Sequence, residues 1–180
     1  NYPEVEWVDE DGMTCADPMT FICQIRLQDI ATCDSENLLP HTGMLYFFAD
    51  IDYFLGNLEA DSPGMGQWDK DRYRVLYAPE TEHLDTHRIV REDGTAFGLP
   101  AQELSFAHCE ERTDGFKLLG KPYFEETEEE YPHYISLLQL DCNDDWRLQF
   151  YDCGMLNILI TPEDLAARKW EQAICHLHSF

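Results

Sequence analysis

The chain contains an echo of itself. "FICQIRL" (21 to 27) followed after a spacer by "TGMLYFFADID" (42 to 52) parallels "SLLQLDC" (136 to 142) followed by "CGMLNILITPED" (153 to 164). In each copy an apolar pair, a glutamine and another apolar residue precede Gly-Met-Leu, which opens a strand. Gln24 corresponds to Gln139 and Gly43 to Gly154, at offsets of 115 and 111, so the copies differ by a few residues in their connecting loops. Agreement in order and polarity points to an ancient duplication, with repeat units at about 18–55 and 134–170. What recurs is a glycine corner and the strand after it, and glycine is expected there because a tight strand entry calls for positive φ.

A chain of 180 residues has the length of one domain, or of two small joined halves. At that length roughly 70% of the surface exposed by the unfolded chain is buried, so a core forms without staples. The apolar share of 44% is ordinary for a folded protein. No stretch approaches the ~20 apolar residues of a membrane span, and no secretory leader is recognisable. Seven cysteines form no C-x-x-C pair and cannot all pair within one chain, so reduced thiols in a cytoplasmic protein are expected. Cys23 and Cys175 lie in apolar runs, where a thiol acts as a small hydrophobe. The net charge of −24 repels phosphate backbones and anionic membranes, which disfavours nucleic acid and membrane as partners. It attracts basic proteins and divalent cations, although a very soluble surface has the same signature.

Hydrophobic patterning gives many strands and few short helices. "PMTFICQIRLQDI" (18 to 30) reads as a strand entering a short helical piece, and Met44 to Ile51 as the next strand. Residues 56 to 71 form a mobile loop rich in glycine and acids. "RYRVLYAP" (72 to 79) alternates Tyr73, Val75 and Tyr77 against Arg72, Arg74 and Leu76, the period of a half-buried strand. "HRIVRE" and "ELSFAHCEE" are further strand candidates, while "GKPYFEETEEEYPH" (120 to 133) reads as an exposed linker unable to pack a core. "YISLLQLD", the short "RLQFYD", "MLNILI" and "AICHLHS" complete the strands. Thr161, Pro162, Glu163 and Asp164 mark a helix start, a hydroxyl cap with proline and acids in the first turn, for a helix ending near Trp170.

"LLQLD" (137 to 141), Asp144-Asp145, "DCG" (152 to 154) and "PEDLAARKW" (162 to 170) resemble the C-terminal signature of the YwqG-like family, a bacterial domain of unknown function. "FICQIRL", "LLPHTGMLYFF", "YRVLY" and "FKLLGKPYF" follow that family's order, so the resemblance spans residues 18 to 175. It implies a sheet-dominated α+β fold with pseudo-duplicated halves, the whole of 1–180 being one YwqG-like domain. Family members usually carry a Gly- and Pro-rich stretch before a Trp-Pro pair. Only Tyr2-Pro3 and Trp7-Val8 stand here, so the chain is expected to be truncated at its N-terminus or to have lost that stretch. The resemblance carries over no catalytic residue, and the proximity of some members to toxin and immunity loci is its only functional hint.

Few residue groups favour catalysis. Asp152 beside Cys153 would raise the thiol's pKa, so the turn reads as a structural corner. His176 and His178 share one strand face with Cys175 opposite, and His83 and His87 are spaced for one helical face, yet neither pair makes a metal site alone. Asp50 with Asp52, and Asp141 through Asp145, offer oxygen ligands, but "DCNDDWRLQFYD" lacks the EF-hand glycine and terminal glutamate, and an Asx-stabilised turn is the simpler reading. Phosphate-binding, dinucleotide-binding and hydrolase-elbow motifs do not occur. The expectation is therefore a non-enzymatic acidic module, without cofactor, metal or catalytic residue, that engages a basic protein. Its contact residues are Tyr123, Phe124, Glu125, Glu126, Glu128, Glu129, Glu130 and Tyr131, and an immunity-type neutralisation of a toxin is its most concrete version. The alternative is a small-molecule or metal-dependent enzyme with its site between the pseudo-repeats.

Overall fold

The computed structural model describes residues 2–82, 84–91 and 94–180. The N-terminal half opens with a hairpin of β1 (Glu4–Val8) and β2 (Thr14–Pro18), then runs through β3 (Thr20–Arg26), α1 (Leu27–Ile30), β4 (Met44–Ala49), β5 (Gly66–Gln67) and β6 (Tyr73–Ala78). The C-terminal half comprises β7 (Lys117–Leu118), α2 (Glu125–Glu130), β8 (Ile135–Leu140), β9 (Met155–Ile160), α3 (Pro162–Ala166) and β10 (Ile174–His178). Three antiparallel strands, β3-β4-β6, form one sheet, and β5-β10-β9-β8-β7 form another. The fold is α+β and sheet-dominated, with pseudo-duplicated halves.

The duplication is visible in the strand register. β3 pairs with β4 through a bulge at Ile22 that sets Gln24 opposite Tyr46; β8 pairs with β9 through a bulge at Leu137 that sets Gln139 opposite Asn157. Tyr46 in turn faces Leu76 on β6, as Asn157 faces His176 on β10. Each glutamine thus lies two residues past a bulge and opposite the third residue after a glycine. Gly43 has a φ of 85°, and a Cβ there would meet the Ala78 carbonyl oxygen at 2.5 Å. Gly154 does not need positive φ, contrary to the sequence expectation; its Cβ would meet the carbonyl oxygens of Phe150 at 2.5 Å and His178 at 2.7 Å. Close backbone approach is the requirement common to both corners.

One apolar core joins the halves. Leu45, Phe47 and Val75 from the first sheet pack with Leu156, Ile158, Cys175 and Leu177 from the second, all 8% exposed or less. Burying such side chains stabilises the fold by about 1.5–3 kcal/mol each before chain entropy is counted. Burial pushes the Cys23 thiol up to about 12 and the Cys175 thiol well above its ordinary value, so both behave as hydrophobes. β5 belongs to the N-terminal half in sequence but pairs with β10, and the Trp68 backbone N–H donates to the Cys175 carbonyl. The loop expected to be mobile is therefore anchored: Trp68 is 2% exposed, with its indole N–H donating to the Gly64 carbonyl. Across the seam the Tyr73 hydroxyl donates to the Ala173 carbonyl.

Several local expectations fail. "ELSFAHCEE" forms no strand, and within "HRIVRE", whose last residue lies outside the described residues, Val90 makes an isolated bridge with Ala96. "RLQFYD" is a turn held by one Asn143–Leu148 bridge, with Arg147, Tyr151 and Cys153 at positive φ. α3 begins as expected, the Thr161 hydroxyl accepting from the Asp164 N–H at 3.2 Å, but ends at Ala166 because Arg168 turns left-handed at φ 58°. Residues 125–130 are helical and belong to the fold, since Phe124 is 6% exposed and Thr127 is fully buried.

Candidate functional site

On the face of the C-terminal sheet turned away from the shared core, the register aligns a row of polar side chains. Lys117, Gln139, Asn157, His176 and Gln67 stand directly opposite one another across β7, β8, β9, β10 and β5. All but Gln67 are buried, at 5% exposure or less. Most buried polar groups are partnered, and the cover over this row supplies partners for Lys117 and Gln139. The Lys117 ammonium donates to the backbone carbonyls of Glu111 and Lys121, and burial lowers its pKa. The Gln139 carbonyl oxygen accepts from the Tyr123 N–H at 2.9 Å, while its amide donates to the carbonyls of Thr113 and Gly115, both at 3.0 Å. The Ser136 hydroxyl donates to Asn157 Oδ1 at 2.8 Å.

α2 lies over the end of this row. His176 Nε2 is 3.9 Å from Glu130, its ring meets Tyr131 edge-on, and the Tyr131 hydroxyl donates to Gln67. Burial lowers the His176 pKa and outweighs the raising effect of Glu130, while neighbouring His178 lowers it further. Thr127 Oγ1, Asn157 Nδ2 and His176 Nδ1 are buried without a hydrogen-bond partner among the described residues. Phe124 docks on His178, with ring centroids 4.6 Å apart, and on Phe180. These contacts hold a glutamate-rich helix rigidly against the sheet.

The eight residues expected to contact a partner therefore divide. Phe124 is buried, Tyr131 is half-buried over His176, and Glu128 is bound by Arg112 and Lys121. The Lys121 ammonium, with Arg112, holds the Glu128 carboxyl below its ordinary range. Glu125, Glu126 and Glu129 are exposed and make no ion pair among the described residues; Glu130 is exposed beside His176, and Tyr123 is 40% exposed.

The other sequence candidates have structural occupations. Asp50 and Asp61 clamp Arg72, and Asp52 pairs with Arg91 and accepts from Asn57. Asp141 accepts from the N–H of Gly115, and Asn143 caps the following turn by accepting from the Trp146 N–H. Cys153 is exposed at φ 55°. The Asp152 N–H donates to Ser179, and the Cys142 sulfur bridges the Phe150 N–H and the Gly154 carbonyl, so this corner is bound by its own backbone. His176 and His178 do share a face, with Cys175 in the core behind them. His83 lies outside the described residues, while His87 is exposed and stacked on Tyr2. Among the described residues no three His, Cys, Asp or Glu side chains converge as metal ligands.

Sequence reasoning missed two features. One is the polar row, whose only signal was Gln139 and Asn157 inside otherwise apolar strands. The other is a groove of 1820 Å³ with β3 and α1 on one side, β7 and β8 on the other, and residues 96–111 passing along it. Acids outnumber Lys and Arg in its lining by seven to three, with Asp34 (whose carboxylate caps the Leu38 and Leu39 N–H groups) among them. No histidine lining it is hydrogen-bonded to an acid or a thiol among the described residues.

Among curated proteins none matches this chain. A family model described as "Domain of unknown function (DUF1963)" matches twice, over residues 1–112 and 86–178, one match containing β1 to β6 and the other β7 to β10. Two matches in tandem agree with the repeated strand register, and the chain belongs to the DUF1963 family, a domain whose function is not established.

Proposed function

We propose that the protein is a non-enzymatic binding module of YwqG-like type that engages a basic partner protein through the acidic surface of α2. The observation that carries this reading is that Glu125, Glu126 and Glu129 stand exposed, with no ion pair among the described residues, on a helix fixed by Phe124 and Thr127. A fixed helix presents its charges without the entropy cost of ordering a loop. Exposed like charges on a body of net charge −24 steer a cationic partner and set its on-rate. Tyr123 beside them offers an aromatic anchor. In the most specific form of the reading the partner is a toxin with a basic active face, which the module covers.

Affinity capture from the native cytoplasm at low and at ~0.5 M salt, where the Debye length falls to a few ångströms, tests the reading. Glu125→Lys/Glu126→Lys/Glu129→Lys serves as the control bait. A basic protein held at low salt, released at high salt and lost from the charge-reversed bait is expected. Capture that ignores both salt and charge reversal overturns it.

A further inference from the structure

We propose that the groove beside β3 receives an extended, lysine- or arginine-rich segment of the partner, which adds a strand to the free edge of β3. This rests on the basic-partner reading and names a second contact, in a groove that α2 borders through Glu128.

β3 is an edge strand. β4 occupies one side of it, and among the described residues no backbone N–H or C=O of Ile22 through Ile25 bonds to anything but that neighbour. An open edge is a template for a further strand unless it is blunted by charge, proline or cover. The side chains here are Ile22, Cys23, Gln24 and Ile25, and all four line the groove. Its volume of 1820 Å³ exceeds the roughly 300–1,000 Å³ of sites for small molecules.

Charge selects the occupant. Glu36, Asp85 and Glu110 line the groove, exposed and without an ion pair among the described residues. Two of the three lining cations are already committed, Lys117 to backbone carbonyls and Lys121 to Glu128. A cationic segment gains pairing on both counts, its backbone from β3 and its side chains from the acids. A second copy of this chain would bring another −24 into contact and is disfavoured.

The test uses a peptide of alternating lysine and valine, about nine residues long so as to span the strand at ~3.3 Å per residue. Two controls accompany it: the same peptide with alternate backbone nitrogens methylated, and one with glutamate replacing lysine. Calorimetry gives affinity, and amide hydrogen exchange locates the contact. The lysine peptide should bind and slow exchange within Ile22–Ile25. Methylation, which removes about four or five backbone donors, should weaken binding by about tenfold or more, and the glutamate peptide should not bind. Glu36→Lys/Glu110→Lys should weaken binding while leaving the unfolding midpoint unchanged. Indifference to methylation, protection outside β3, or no binding overturns the inference. Loss of binding only in the α2 triple variant would leave the basic-partner reading standing and remove the groove from it. Protection of β3 that grows with protein concentration in the absence of peptide would assign the edge to a second copy and likewise overturn it.

Discussion

In the N-terminal sheet the row through Gln24, Tyr46 and Leu76 faces outward, with Gln24 and Leu76 exposed; in the C-terminal sheet the corresponding row through Gln139, Asn157 and His176 is buried under α2 and its flanking loops. The backbones share one register, one bulge position and one glycine corner. Only the cover differs. The polar character of a strand position therefore follows from whether a neighbouring segment supplies hydrogen-bond partners. Gln139 is tolerated at 0% exposure because Thr113, Gly115 and Tyr123 satisfy it, whereas Gln24 is exposed to solvent and needs no such cover. The N-terminal sheet keeps Gln24 and Leu76 in solvent and β3 at its edge.

The comparison is broken most severely at what the halves share. Gly43→Ala and Gly154→Ala drive a Cβ to 2.5 Å from a backbone oxygen that cannot swing away. Each should cost about 3–5 kcal/mol in urea unfolding, against about 1–2 kcal/mol for Gly12→Ala, where only positive φ is strained and nothing lies within 4 Å. Equal, small effects at all three sites would mean that the corners are not equivalent close approaches.

Next in size is the test of the cover itself. Gln139→Leu strands a buried N–H and two buried carbonyls and should lose about 2–4 kcal/mol, while Gln24→Leu should change stability by less than about 0.5 kcal/mol. A matched pair of values would show that cover does not govern these positions.

His176 sharpens the comparison through pH, since its counterpart Leu76 has no titrating group. Burial depresses the His176 pKa, so the folded state binds less proton there than the unfolded chain does. Its contribution is present above the unfolded value of 6.5 and is lost as pH falls below it toward the lower folded value. His176→Leu should flatten the slope of unfolding free energy against pH in that window. An unchanged slope would place the titration elsewhere.

The smallest effect concerns the turns after the central strands. α3 after β9 is capped by Thr161, but the 3-10 turn after β4 has no side-chain cap at Asp52. Thr161→Ala should cost about 1 kcal/mol, and Asp52→Asn, which removes the charge of the Arg91 pair and keeps an amide oxygen to accept from Asn57, less than that. Reversal of this order in thermal unfolding would contradict the assignment of the cap.

Strands β3, β4, β6, β8, β9 and β10, the α3 start and the paired glycines were legible in the sequence, because apolar periodicity, capping chemistry and tight-turn sterics act over a few residues. α2 was not. Proline at 122 and 132 and five glutamates read locally as a loop, and the helix forms because Phe124 docks on His178 and because Arg112 and Lys121 neutralise Glu128. "ELSFAHCEE" failed in the opposite sense, alternating like a strand and pairing with none. The sequence by itself determined two β-rich halves, their order and their excess of negative charge. Tertiary structure alone decided that Lys117, Gln139, Asn157, His176 and Gln67 form one row, that α2 covers it, and that the edge of β3 stays open. Register and docking join residues far apart in the chain, and no local propensity carries that information.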